Sequence, residues 1–495
     1  VPLRPAPRSA LLALLVAGAA AAQAPQPALA PLDASLAADV VELDNPAFPV
    51  FQTSAPSLTP LAELLPVLPM GPQREAAVAL EAGQPAVALK ALSGLPEEAG
   101  VLYLRTVAGL KLAPSLPLAA TMESLASQLP ALADRCALHA GLAREELGEL
   151  AGARRLLATV PADSLVFADA RLATARVLRR MGDLPGAAAA LEPLAAGPAQ
   201  AYGRDMAAEA LLLRAELALA RKDGPGERAE LLVLWTRHPR SPFSPEAERR
   251  LAGHIPVSAQ VERAEALVDV HRNVEALRLL EAVRVAPPDA LGCRVQLARG
   301  RALRKERRHG EVERVLQPVV ARCVDPDVRV RALYVLGASQ AVVHPDAAVA
   351  TYELLAEAYP QHPYADDALY LAAELRAAAG DLAGALAGLE AVATRYPEGD
   401  FAGEALFKTF WLHHRLDDDR AGLLALDRIE ELFAQAKDSY DVDRARYWRA
   451  RVLDAGGDRR GAVGVWAAVA GEHPGSYYGL LARTRLAERE PAAAL

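Results

Sequence analysis

Aromatic residues make up only 5% of this 495-residue chain, and long alternating runs of Val, Ile and Thr are missing. Strands draw on both, so a sheet-based architecture is excluded and the Ala- and Leu-rich composition points to closely packed helices. Positive charge is also in deficit. The chain carries 54 Lys and Arg against 62 Asp and Glu, a formal net charge of -8, which argues against the concentrated basic surface that nucleic acid requires. The densest basic run, Arg299 to Arg308 with Arg301, Arg304, Lys305 and Arg307, reads as a solvated helix face. No apolar run approaches the ~20 residues of a transmembrane helix. Motifs for cofactors and metals are absent: no G-x-x-x-x-G-K phosphate loop, no strand-borne G-x-G-x-x-G and no H-E-x-x-H helix. Neither a catalytic residue, a cofactor nor a metal site is expected.

Several patterns imitate sites. His413 and His414 are adjacent, so on a helix they point about 100° apart and make poor joint ligands. Asp417, Asp418 and Asp419 lack the alternate spacing and central glycine of a calcium loop and read as a solvated turn. Glu145-Glu146 and Glu430-Glu431 read as exposed helix charges. Nothing suggests a paired-carboxylate glycosidase site.

A chain of this length implies several domains or a repeat array. Residues 1–22 read as a secretory signal peptide: Arg4 and Arg8, an apolar run from Ala10 to Ala17, and small residues to Ala22. No Cys lies near the cleavage point, so a lipoprotein anchor is not expected, and the arginines are not twinned. The mature chain is therefore expected in the periplasm, soluble after cleavage. Export gives the three cysteines weight. Cys293 and Cys323 flank a helix–turn–helix centred on residue 308 and would meet at its open end; the alternatives are a disulfide or two buried thiols. Cys136 is then a small buried hydrophobe.

Residues 23–72 form a proline-rich arm that no long helix can traverse. Its apolar part, Leu61 to Met70, is positioned to pack on the first hairpin. Beyond it a unit recurs: Gly at a turn, Ala five residues later, a large apolar residue four further on, an apolar residue after three more, then Pro. It reads Gly380, Ala385, Leu389, Val392, Pro397, and again Gly457, Ala462, Trp466, Val469, Pro474. In Val343, Ala348, Tyr352, Leu355, Pro360 the turn residue departs. Shorter copies start at Gly83, Gly148 and Gly182. Gly permits the left-handed turn, the Asp after it (Asp183, Asp381, Asp458) starts the next helix, and Ala lets two antiparallel helices approach. An aromatic returns four residues after the closing Pro, at Phe243, Tyr364, Phe401 and Tyr478, to anchor the next helix. Turns are expected near His271, Arg307, Val343, Gly380, Asp417 and Gly457. Residues 73–255 are then an irregular array and 256–495 a regular one, with Pro239 to Pro245 a joint between them.

These positions resemble the tetratricopeptide repeat, which implies an all-α fold: a right-handed superhelix, or α-solenoid, of helical hairpins with a concave binding surface. The last repeat carries a narrower resemblance. Tyr447, Trp448 and Arg449, then Gly457-Asp458, then His473-Pro474-Gly475-Ser476-Tyr477-Tyr478-Gly479 resemble the final helices of the superhelical domain of soluble lytic murein transglycosylases, over roughly 45 residues. In that family the segment precedes the catalytic domain that cleaves peptidoglycan to a 1,6-anhydro product. The resemblance implies peptidoglycan glycan strands as a partner; cell-envelope proteins are the alternative. That family's catalytic Glu-Ser and Gly-Leu-Met-Gln segments have no counterpart here. Glu123-Ser124 stands far upstream and reads as coincidence, so these residues by themselves are not expected to cleave the wall. Read as packing alone, Trp448 and Trp466 fill a core, Ser476 caps a helix and Gly479 allows a close approach.

Overall fold

The computed structural model describes residues 68, 70–195, 200–201 and 204–490. The signal-peptide segment and most of the arm lie outside the described residues. Of the arm's apolar part, Leu68 packs on the first helices while Met70 is exposed.

The described residues form 24 α-helices. Among them the sole strand pairing is a two-residue antiparallel ladder, Gln200–Ala201 with Arg204–Asp205. The protein is thus an all-α helical-repeat chain. The described residues divide into two compact units, those up to Val270 and those from His271. In each unit nearly all consecutive helices pack antiparallel, and first helices also touch the first helix of the next hairpin, as Tyr440–Ala455 touches Tyr477–Arg489. This is the local geometry of a solenoid. The Pro239 to Pro245 segment lies inside the first unit, as the link between Gly224–Arg237 and Ser244–Leu251.

The turns follow one backbone rule. Left-handed φ occurs at Gly83, Gly148, Gly182, Gly380 and Gly457, and at the non-glycine residues Lys222, His271, Arg307 and Asp417. At Gly457 the amide donates to the Asp454 carbonyl, and the Asp458 amide to Leu453, closing the helix in a Schellman motif. The Asp458 side chain then accepts from the Gly461 amide at 2.9 Å, capping the next helix. Asp183, Asp223, Asp381 and Asp418 do the same. At Val343 no left-handed residue appears. The helix Pro326–Val343 ends at His344, and Pro345 opens the next helix with the fixed φ of proline.

Inside each hairpin a small residue faces a large one. Ala88, Ala153, Ala187, Ala276, Ala348, Ala385 and Ala462 are all fully buried, as are Leu280, Leu316 and Trp466, the large residues of the second helices. On the first helix a second small residue makes room: a methyl at Gly300 would stand 2.5 Å from Leu316, one at Gly141 2.8 Å from Leu157, and one at Gly337 2.8 Å from Tyr352. One hairpin inverts the arrangement, with Phe410 large on the first helix and Gly422 in the place of the alanine, where a methyl would meet the ring at 3.2 Å. The returning aromatics stack on the first helix just completed: Tyr364 on Tyr334 at 4.7 Å, Phe401 on Tyr370 at 4.6 Å, Tyr478 near Tyr447 at 5.6 Å.

The open ends are clasped. Cys293, in the first turn of Ala290–Lys305, is bonded to Cys323, the residue after His309–Arg322, with their Cα atoms 6.1 Å apart. In other hairpins a carboxylate holds this place. Asp134 accepts from Ser164 at 2.6 Å, and Asp205 from His238 at 2.7 Å. Burial opposes ionisation of Asp205, yet hydrogen bonds from His238 and the Ala208 amide outweigh it and keep the carboxyl below its usual range.

The disulfide closes a loop with a sequence separation of 30, which in the chain-entropy model is worth about 3–4 kcal/mol. Reduction, or the pair Cys293→Ala and Cys323→Ala, is expected to lower the urea midpoint of the hairpins around it. Identical midpoints with and without reductant would show that the packing alone sets their stability.

Candidate interaction surface

The residues singled out near the C-terminal end converge around two features, a buried carboxylate and an aromatic face.

The carboxylate is Asp443, in the first turn of Tyr440–Ala455 and 0% exposed. It accepts from His473 Nδ1 at 2.8 Å and from the hydroxyls of Ser476 and Ser439 at 3.0 Å each. Ser476 also caps Tyr477–Arg489 by accepting from the Gly479 amide at 3.0 Å. A side chain at Gly479 would collide with the His473 carbonyl, so the close approach there requires glycine. Asp, His and Ser stand together, but both hydroxyls point to the carboxylate rather than to the imidazole. A nucleophilic triad needs the serine on the far nitrogen of the histidine. The arrangement is a clasp that closes the last hairpin and docks the final helix.

The aromatic face lies on the first helices of the last hairpins. Trp411 and Trp448 meet edge to face at 5.1 Å, and Phe407 lies 6.2 Å from Trp448. These three side chains are half-buried, whereas Tyr447 is buried against Tyr478 and Tyr477 is 55% exposed. Arg444, almost fully buried, places its guanidinium 4.2 Å from the Phe407 ring centre and bonds Glu404 at 2.6 Å and Asp441 at 2.7 Å. Burial pushes the Asp441 carboxyl up, against the pull of Arg444. Arg449 bonds Asp427 at 2.5 Å and Glu430 at 3.0 Å, beside a groove of about 640 Å³ that also includes Leu424 and Arg428.

The imitation sites resolve into structure. His413 and His414 do not converge; each turns to an acid of the following turn, Asp418 at 3.5 Å and Asp419 at 2.5 Å. Among the described residues no group of three or more His, Cys, Asp or Glu is arranged to hold a metal. Glu123 pairs with Arg144 and Arg155, and Ser124 donates to the Thr121 carbonyl. In the basic run, Arg299 donates to the Leu280 carbonyl at 2.6 Å and Arg308 pairs with Glu311. Two expectations are corrected. Glu145 is buried, at 8% exposure, because Arg176 from the next first helix bonds both its oxygens at 3.0 and 3.1 Å. Glu430 is not a free surface charge either, since Arg446 and Arg449 hold it from both sides.

Cys136 is fully buried and burial pushes its thiol up to about 11, which leaves it protonated and inert. Next to it, His139 packs edge to face on Tyr103 at 6.1 Å and is pushed down to about 3, first by burial and then by Lys111 and Arg135.

Trp411, Asp443 and Phe407 were not singled out by the sequence. A signal was present in the register: six residues ahead of the left-handed turn, the last three hairpins carry Glu374, Trp411 and Arg451.

A tetratricopeptide-repeat family model matches residues 367–399, the hairpin of Ala365–Ala378 and Leu382–Arg395. The chain carries tetratricopeptide-like repeats. No curated protein sequence matches it. Among solved structures it is similar to the Cut9–Hcn1 hetero-tetramer of the APC/C, at 12% identity and a TM-score of 0.26, over 88% of this chain and 96% of that one. It is also similar to Naa15/Naa10 bound to HypK-THB, at 15% and 0.25, over 87% and 66%. The human IFIT1 dimer with PPP-AAAA gives 13% and 0.34, over 87% and 93%. At such scores these likenesses carry no functional argument. No described helix is long and apolar enough to cross a membrane.

Two outcomes are expected. Asp443→Ala leaves three part-buried donors without their shared acceptor and should cost about 1–3 kcal/mol, with the amides of Tyr477–Arg489 exchanging faster than those of the first unit. For His139 the folded state holds the imidazole neutral, while the unfolded one takes a proton below about 6.5. Its contribution is therefore complete above that pH and declines at about 1.4 kcal/mol per unit as the pH falls toward 3. His139→Leu should flatten the dependence of the urea midpoint between pH 7 and 4.5; an unchanged slope would move the acid sensitivity elsewhere.

Proposed function

We propose that this chain is an exported, non-catalytic scaffold that works in the periplasm on peptidoglycan metabolism, presenting stacked helical hairpins to other macromolecules. The observation that carries the scaffold reading is the stacking of successive helical hairpins, first helix on first helix, which lines up partly buried side chains such as Phe407, Trp411 and Trp448 along one face. Charged side chains beside them are tied by ion pairs between neighbouring first helices, so the surface is preorganised rather than assembled on contact. The cell-wall part rests on the resemblance of residues 447–486 to the superhelical domain of soluble lytic transglycosylases. In such a role the repeats hold a glycan strand or a wall-bound enzyme in place, and bond cleavage belongs to another domain or chain.

A second reading is a stand-alone periplasmic scaffold for envelope proteins, which the tetratricopeptide-like hairpin at 367–399 fits as well as it fits the first. Purified chain incubated with isolated sacculi is expected to co-sediment at low salt. Full recovery in the supernatant under those conditions would remove the wall-binding reading and leave the protein-binding one.

A further inference from the structure

We draw no further inference here: the strongest candidate, the cluster of Arg304, Arg307 and His309 around the N-terminus of His309–Arg322, where Arg308 stands in the cap position that other hairpins give to an aspartate, is a helix N-terminus with no second observation that points to a ligand.

Discussion

The structure depends on how closely two antiparallel helices can approach within one hairpin. Gly141, Gly300 and Gly337 leave the gap on the first helix, and Leu157, Leu316 and Tyr352 fill it from the second. A methyl group added to the floor of that gap meets the facing side chain below van der Waals distance, so the interhelical spacing is set by the pair rather than by either residue. The Phe410 and Gly422 exchange makes the same point from the other side. A large ring on the first helix is matched by glycine on the second, and the hairpin retains its place in the array.

That contact fixes the middle of each hairpin, and different chemistry secures its two ends. At the tight end a left-handed residue closes one helix and an aspartate caps the next. At the open end the chain uses a disulfide once, and elsewhere a carboxylate that gathers histidine and serine hydroxyls. The clasps explain why Asp443, His473 and Ser476 assemble without forming a catalytic site: every side-chain hydrogen bond among them converges on one buried carboxylate. They also locate a weakness, because a buried carboxylate stripped of its donors is costly in a way that an exposed ion pair is not.

Much of this was legible in residue order. The Gly, Ala and Pro spacing identified the hairpins, since left-handed turns, close approach and helix termination each demand a particular residue type. It placed the turns at Gly380 and Gly457, and also at His271, Arg307 and Asp417, where no glycine marks them. Glu145 and Glu430 were misread because a charge reveals nothing of its partner, and in both cases the partner arrives from a neighbouring first helix. Phe407 carried no local signal, and the register of Trp411 before its turn did not say which way the ring faces, since a lone aromatic on a helix has the same spacing whether it faces a core or solvent.

The sequence by itself determined what is periodic: the all-α class, the antiparallel pairing, the turns and the residues that must be small. These follow from steric rules acting within some forty residues. Only the tertiary structure decided which side chains from successive hairpins share a surface. Trp411 beside Trp448, Arg444 over Phe407 and Arg451 without an acid all depend on the register between neighbouring repeats. The packing of many side chains sets that register at once, and no short stretch of sequence encodes it.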